Sequence, residues 1–600
     1  MKHFSNRLLT PLAVLVILAT AMSVHAQRRS PQQALDVARQ YFSGHSAANR
    51  SQGAEALQLV PLTEGLSASA EEGDGADAPY YIVNELNGRR FVIVSGDDRQ
   101  HAVLGASDQG VFDAQRIPCG LQMMLAQYEA EYRHLQQADD AVVTDAPRAA
   151  QRRAFPSVAP LVSAQWDQGN NDPRTVGEEV FNRYCPTDPS THKASVTGCV
   201  ATAMAQILYT HRAPDSASGT VGYTTQTAKI SLSENLADYP FYWSLMCDIY
   251  RDRWDGPATT QQQREAVGRL MYACGLAVHT DYKSSGSSAI DNNVPYALVH
   301  YFGMNPYMQY LQRNYYTPDE WDQLLQEELL AGRPVLYGGQ NPNKNSGHAF
   351  IVDGCNPDGT YHVNWGFNGD GNGSFRLSTL TSSRYYVSDQ DMTVGISTST
   401  IGTPQEHFYA NSFSISAAST TLGSTLSTWT DTPRCQCAPV ATTSSYGQNT
   451  WSGSIGVAVF DTQWNCLREY PATIKNNQTN GYTMGLGWKG NIKTNITLSG
   501  DTFQDGGQYY IAPYARSAAA DVPTRMRTMG GASDWYLATV SGSTVTLTLL
   551  GTHDESSTAI STVSAEKSTD SPFFDLHGRR ATPPLRPGIY LHQGKKVVVK

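Results

Sequence analysis

Residues 197–207, TGCVATAMAQI, decide how the central part of this chain folds. After Gly198 the segment contains strong helix formers with apolar residues at helical spacing, which predicts a helix beginning at or near Cys199. The partial positive charge of a helix N-terminus favours a thiolate, which is the reactive form of cysteine. Cys199 is therefore a candidate nucleophile, although a buried structural cysteine beside a packing helix would give the same pattern.

A histidine and an asparagine follow on two predicted strands. Residues 345–354, NSGHAFIVDG, place His348 before an apolar strand, where it can reach a thiol on a facing helix and exchange a proton with it. Residues 361–367, YHVNWGF, form the next strand, in which Asn364 is placed to orient the imidazole and Trp365 to shield it from water.

An amide for an oxyanion hole lies about thirty residues before the cysteine. Residues 165–170, QWDQGN, offer two glutamine side chains whose N–H groups can join the backbone N–H of Cys199 in binding an oxyanion. On chemistry alone, Gln165 and Gln168 are equal candidates for this role.

Taken together, these motifs resemble the streptopain family of papain-like cysteine peptidases, which includes interpain. The resemblance rests on GCVATA at 198–203, GHAF at 347–350 and HVNWG at 362–366, with WDQ at 166–168 in support. It covers about residues 160–395, with the motifs in the same order and spacing.

The resemblance implies a role for each matching residue. Cys199 corresponds to the nucleophile, His348 to its base, and Gln168, in the Trp-x-Gln slot, to the oxyanion-hole glutamine. It also implies a preference for a hydrophobic residue at the second position before the cut, with no metal and no cofactor. The other positions carried over, beside the histidine and in the substrate site, are Asn364, Trp365, Gly347 and Ser287.

The chain is too long for one core, since 600 residues correspond to several folded units. The predicted class is α+β: a papain-like catalytic domain with a helix-bearing nucleophile lobe and an antiparallel β lobe, after an α+β pro-domain and before a β-sandwich. The predicted units are a signal peptide at 1–26, an inhibitory propeptide at 27–154, the peptidase domain at 155–400, the β-sandwich at 401–550, a linker at 551–570 and a sorting-like tail at 571–600.

The first folded unit resembles the propeptide of the same family, through FVIVSGDD at 91–98, VLG at 103–105 and IP at 117–118. The resemblance implies an intramolecular inhibitor that docks on the catalytic cleft. The polar stretch at 138–154, which contains Arg148 and the pair Arg152–Arg153, is a predicted cleavage site between folded units.

The two ends of the chain indicate export. Residues 1–26 combine early basic residues, a short apolar run and a small-residue cleavage site, as a signal peptide does. Residues 571–600 resemble the C-terminal sorting tails of type IX secretion substrates, with a terminal β-hairpin as the alternative. We therefore expect a virulence-type protein without a stable membrane span, secreted or held at a bacterial outer-membrane surface, with outer-membrane secretion machinery as a partner.

Composition excludes two other classes of partner. The formal charge of −10 is spread along the chain without a clustered basic face, so no nucleic-acid partner is expected. The CQC run at 435–437 has no second pair of ligands at a matching spacing, and the loop NGDGNG at 368–373 is interpreted as a glycine-rich loop rather than a calcium site.

Three functions remain open at this stage. The first is a zymogen endopeptidase that cleaves protein or peptide substrates through Cys199 and His348. The second is a surface adhesin that has kept a peptidase-like fold, suggested by the β-rich region at 401–550. The third is a related acyl transfer, such as amidase or transpeptidase activity, which the same thiolate and oxyanion hole would serve.

Overall fold

The computed structural model describes most of the chain from residue 28 onward. The predicted signal peptide at 1–26 and the basic stretch at 138–154 lie outside the described residues. The described residues are 28–45, 56–61, 78–87, 89–137, 156–169, 180–251, 258–342, 346–378, 389–403, 405–438, 453–472, 491–518, 520–530 and 534–550, with short strands at 561–562, 573–575, 580–581, 588–592 and 595–599.

The longer helices begin where local sequence satisfies their free N–H groups. Ser30, Thr260 and Thr317 each form a capping box with the residue three positions later. Among the described helices, none is long and apolar enough to cross a membrane. The α-helices are α1 (Pro31–Gly44), α2 (Cys119–Gln137), α3 (Cys199–His211), α4 (Gln261–Ala277), α5 (Val294–His300) and α6 (Pro318–Leu330).

The first twelve strands contain the sheet that carries the site. They are β1 (Leu57–Val60), β2 (Tyr80–Glu85), β3 (Arg90–Ser95), β4 (Val103–Ser107), β5 (Thr220–Thr224), β6 (Ser231–Asn235), β7 (Gln309–Gln312), β8 (Val335–Gln340), β9 (Gly347–Cys355), β10 (Tyr361–Asn364), β11 (Gly373–Phe375) and β12 (Asp391–Val394). All except the β5–β6 hairpin form one antiparallel sheet in the order β1-β2-β3-β4-β11-β10-β9-β8-β12-β7.

One seam in this sheet joins two units that the sequence predicts as successive domains. Ser374 and Phe375 of β11 pair with Ala106 and Gly105 of β4. The four strands of the predicted propeptide therefore continue the sheet of the predicted peptidase domain. The boundary between the two predicted domains is therefore not a break in the hydrogen bonding of the sheet.

The sheet separates two apolar cores. Side chains of successive strand residues point to opposite faces. Ala349 and Ile351 of β9 pack into the core that contains α3 and α4, whereas Phe350 and Val352 pack into the core that contains α2 and α6. The candidate nucleophile helix and the pro-domain helix α2 thus lie on opposite faces of the same strand.

Among the described residues after 404, strands are the only regular secondary structure. The sheet β14-β16-β20 and the longer sheet β15-β25-β24-β21-β18-β19 contribute apolar side chains to one shared core. The strands are β13 (Gln405–Ala410), β14 (Ser412–Ile415), β15 (Ser419–Thr421), β16 (Thr425–Asp431), β17 (Arg434–Ala438), β18 (Gly453–Phe460), β19 (Cys466–Pro471), β20 (Asn491–Thr497), β21 (Gln508–Ser517), β22 (Thr524–Arg525), β23 (Arg527–Thr528), β24 (Trp535–Ser541) and β25 (Thr544–Leu550).

The last strands form a sheet of their own, in the order β26-β30-β29-β27-β28. None of them pairs with a described strand of the preceding region. They are β26 (Ser561–Thr562), β27 (Phe573–Asp575), β28 (Arg580–Ala581), β29 (Gly588–His592) and β30 (Lys595–Val599).

Candidate active site

Cys199 is the first residue of α3, as the sequence predicts. The turn before it needs glycine, because Gly198 has a φ of +84° and a Cβ there would lie 2.9 Å from the carbonyl oxygen of Ser287. The N–H of Gly198 donates to the carbonyl of Gln168 at 3.2 Å, which fixes the glutamine segment beside the nucleophile.

The thiol of Cys199 is neutral in this form of the chain. Burial, and to a smaller extent the negative charge of Asp291, raise its pKa to about 12. The backbone N–H groups of Ala349 and Val200 act in the opposite direction, since they favour a thiolate, but burial outweighs them.

His348, the second residue of β9, is buried, and its imidazole is hydrogen-bonded to Trp365 rather than to the thiol. Its Nε2 atom lies 3.1 Å from the carbonyl oxygen of Trp365. A carbonyl only accepts, so Nε2 carries the proton. Burial lowers the pKa of the imidazole to about 4, so His348 is neutral at pH 7. The thiolate–imidazolium pair that nucleophilic catalysis requires is therefore not assembled here.

The pro-domain helix α2 closes over this histidine. A Cβ on Gly120 would overlap Cδ2 of His348 and lie 2.5 Å from Cε3 of Trp365. Leu121 and Met124 of the same helix share a core with Phe350 and Trp365. The imidazole is thus enclosed between the tryptophan and the first turn of α2. Sequence reasoning missed Gly120, and no local signal in the sequence marks it.

Asn364 does not make the contact that the sequence predicts for it. Its Nδ2 donates to the carbonyl of Ala164 at 2.7 Å, and its Oδ1 accepts from the N–H of Gly366 at 3.0 Å. In this form the carbonyl of Trp365, rather than the Asn364 amide, holds the imidazole. In this form the amide joins two backbone segments, and the orientation of His348 by Asn364 in an active form stays a prediction.

Trp365 lies beside the histidine, as predicted. Its indole N–H donates to the carbonyl of Gly371 at 2.9 Å, and its backbone N–H donates to the side chain of Asn372 at 3.0 Å. The glycine-rich loop at 368–373 therefore anchors the tryptophan.

No group of three or more acidic, histidine or cysteine side chains able to hold a metal occurs among the described residues.

The geometry separates the two candidate oxyanion glutamines. The Nε2 of Gln168 donates to the carbonyl of Gly366 at 3.2 Å, and the backbone of Gln168 contacts the turn before Cys199. The Oε1 of Gln165 instead lies against Gly369, where a Cβ would be 2.5 Å away. Gln168 is therefore the glutamine placed next to the nucleophile.

The two predicted substrate-contacting residues, Gly347 and Ser287, lie on two different segments of the candidate site. Gly347 is exposed at the start of β9, opposite Gln340 of β8. The carbonyl of Ser287 abuts Gly198, while its hydroxyl accepts from the N–H of Lys283 at 2.9 Å. Ser287 therefore lies against the nucleophile turn and Gly347 lies next to His348, and their contact with substrate stays a prediction.

Comparison with known proteins places these residues in a family context. Residues 177–375 match the Peptidase C10 family, and residues 26–132 match the Spi protease inhibitor family. The chain is 30% identical over 338 residues to the thiol protease/hemagglutinin PrtT of Porphyromonas gingivalis, a match covering 53% of this chain and 37% of that protein. It is 30% identical over 321 residues to streptopain of Streptococcus pyogenes, covering 52% of this chain and 77% of streptopain.

Two solved structures are similar. One is a fragment of prointerpain A from Prevotella intermedia, with a TM-score of 0.45 and 25% identity, covering 57% of this chain and 99% of that one. The other is active wild-type interpain A from the same organism, with a TM-score of 0.34 and 28% identity, covering 41% and 97%.

Replacing Gly120 with valine should weaken inhibition by the pro-domain. The new side chain would overlap His348 and Trp365, and overpacking of this kind costs about 1–3 kcal/mol. We expect a thiol-directed probe to label Cys199 of the full-length zymogen roughly ten to a hundred times faster. Gly44→Ala is the matched control, because a Cβ there meets nothing within 4 Å. Equal labelling of both variants would contradict the close packing of α2 at Gly120 against His348 and Trp365.

Acidification should destabilise the zymogen through His348. Its pKa is about 4 when folded against an ordinary 6.5, so the unfolded chain binds the proton first as the pH falls. The contribution to the free energy of unfolding is fully present above pH 6.5 and is lost towards pH 4, by up to about 3 kcal/mol. Chemical denaturation of a Cys199→Ala zymogen across this range measures it.

The variant His348→Gln should flatten that pH dependence. His279→Gln is the comparison, because burial lowers the pKa of His279 to about 4 as well, yet its ring stacks on Tyr223, away from the cleft. It should remove only its own share. An unchanged slope in His348→Gln would show that the imidazole is not held neutral by the pro-domain.

Proposed function

The chain belongs to the peptidase C10 family, whose relatives named above are cysteine proteases, and from that premise we propose that it is an exported endopeptidase made as an inactive zymogen. The observation that carries the proposal is the position of the nucleophile beside the base. The N–H of Ala349, the residue after His348, donates to the sulfur of Cys199. The imidazole would have to leave the carbonyl of Trp365 and turn towards Cys199 to assemble the catalytic pair.

Latency in this proposal comes from residues 27–154. The first turn of α2 keeps His348 on the carbonyl of Trp365, in an environment where neither imidazole nor thiol is charged. Cleavage within the basic stretch at 138–154 would allow the pro-domain to leave. Water would then reach His348, raise its pKa towards the ordinary value, and free the ring to turn to Cys199.

The mature site then performs acyl transfer to water. His348 takes the proton of Cys199, and the thiolate attacks the carbonyl carbon of the substrate while Gln168 Nε2 and the Cys199 N–H bind the oxyanion. Collapse of the intermediate breaks the C–N bond, and the imidazolium gives its proton to the leaving amine. A water molecule, deprotonated by His348, hydrolyses the thioester and restores the free thiol. Trp365 shields the imidazole in both states.

Substrate and location complete the proposal. By resemblance, the enzyme accepts a hydrophobic side chain at the second residue before the cut (P2), with Gly347 and Ser287 bordering the substrate. The β-rich region at 401–550 is a β-sandwich that accompanies the peptidase. Residues 1–26 and the tail at 571–600 direct export to the medium or to the outer-membrane surface.

Replacing Cys199 with alanine should abolish proteolysis, because no other group supplies the acyl-accepting thiolate. We expect the rate of casein cleavage by the activated enzyme to fall by at least about a thousandfold. Cys247→Ala is the matched control, since this partly exposed cysteine of the same domain lies under Trp166 and not in the cleft. Casein cleavage that persists in Cys199→Ala would refute the proposed role, and an active thiol that forms only transfer products would favour amidase or transpeptidase chemistry.

A further inference from the structure

A row of three residues leads from the nucleophile across the sheet. Ala349 of β9 pairs with Gly338 of β8, and Gly338 pairs with Asp391 of β12. Paired residues share a face, and Ala349 packs into the core on the side of α3. The row therefore begins at the sulfur of Cys199, which accepts from Ala349, and ends two strands away at a carboxylate.

A second carboxylate, that of Asp291, lies against the same row. Asp291 opens the short 3-10 turn Asp291–Asn293, which precedes α5. A Cβ on Gly338 would overlap Oδ2 of Asp291 and lie 2.8 Å from Oδ1 of Asp391. The two acidic side chains thus converge on one point, and only glycine at 338 leaves room for them.

This arrangement is costly for the protein as it stands. Oδ2 of Asp391 accepts from the hydroxyl of Tyr310 at 2.9 Å, but its buried Oδ1 has no hydrogen-bond partner among the described residues. Neither carboxylate takes part in the ion pairs of the described residues. Burial raises the pKa of both groups, and the neighbouring charge of Asp291 raises that of Asp391 further.

The pair also opposes catalysis when it is ionised and unpaired. The charge of Asp291 raises the pKa of Cys199, which disfavours the thiolate. A cation between Asp291 and Asp391 would satisfy the open oxygen, offset the repulsion and remove this effect on the thiol. Both residues are partly exposed, although Oδ1 of Asp391 is itself buried.

We propose that Asp291 and Asp391 form the floor of a substrate subsite that takes the cationic end of a lysine or arginine side chain at P2. Strands are spaced about 4.8 Å apart, so the floor lies roughly 10 Å from β9, within reach of a long side chain on a substrate bound at Cys199. The charged end of the side chain would meet the two carboxylates, and its methylene stem would approach from their partly exposed side. The subsite then accepts long basic residues beside the hydrophobic ones already proposed for P2.

The proposal rests on the proposed peptidase function and is tested with the activated enzyme. Peptide substrates that differ only at P2 carry arginine or its uncharged isostere citrulline, lysine or norleucine, and leucine. We expect kcat/KM to be about tenfold higher for arginine than for citrulline, as charge-assisted hydrogen bonds to a carboxylate pair would give. Active enzyme is counted by titration with an epoxide thiol inhibitor, so misfolded protein does not enter the ratio.

Two variants locate the effect. Asp391→Asn and Asp291→Asn should each bring the arginine-to-citrulline ratio close to one. Asp319→Asn removes one negative charge from an exposed position on α6 of the same domain, and it should leave the ratio and the overall activity unchanged.

The outcomes separate the two levels of the proposal. Hydrolysis of the leucine peptide with equal rates for arginine and citrulline would overturn the acidic subsite and leave the peptidase function standing. A ratio that favours arginine but persists in both aspartate variants would also overturn it. Failure to hydrolyse any peptide, together with no uptake of the thiol inhibitor, would instead overturn the peptidase function itself.

Discussion

The hydrogen bond from His348 to the carbonyl of Trp365 keeps the imidazole of the proposed base from pairing with the thiol of Cys199. Residues of a strand alternate between faces, so His348 shares the side of α2 and its neighbour Ala349 shares the side of Cys199. His348 is buried and Cys199 is partly buried, and loss of solvent favours the uncharged form of each: the thiol keeps its proton and the imidazole lacks one. Inactivity therefore follows from position and desolvation together, without any change in the residues themselves.

The pro-domain is part of the folded sheet rather than a loose plug. Its strand β4 pairs with β11, and α2 fills the core that also contains Phe350 and Trp365. Tyr128 of α2 donates to the carbonyl of Arg376, next to β11. A cut in the segment after α2 severs the chain but breaks none of these contacts. Release of the pro-domain must therefore include strand separation and re-covering of the exposed apolar face, which makes it a step distinct from proteolysis.

Sequence was most informative where the structure is local. The helix that starts at Cys199, the glycine turn before it and the strand that begins at Gly347 each follow from short patterns, and the structure contains all three. The contact predicted for Asn364 differs because the direction of its amide depends on Ala164, two hundred residues away. The close packing at Gly120 and the pairing of β4 with β11 were not predictable for the same reason. Both depend on residues far apart in the sequence, and such contacts leave no local periodic signal.

The acidic pair Asp291 and Asp391 would have one effect in the zymogen and another in the substrate complex. In the zymogen no cation pairs with Asp291 among the described residues, and its charge helps to keep the thiol of Cys199 protonated. In a complex with a basic substrate the same charge would be neutralised at the moment when the thiolate is needed. The unpaired carboxylates destabilise the resting chain, and a basic substrate would remove that destabilisation when it binds. The enzyme would therefore prefer such substrates. Glycine at 338 is what makes both states available, because any side chain there would occupy the place where the two carboxylates meet.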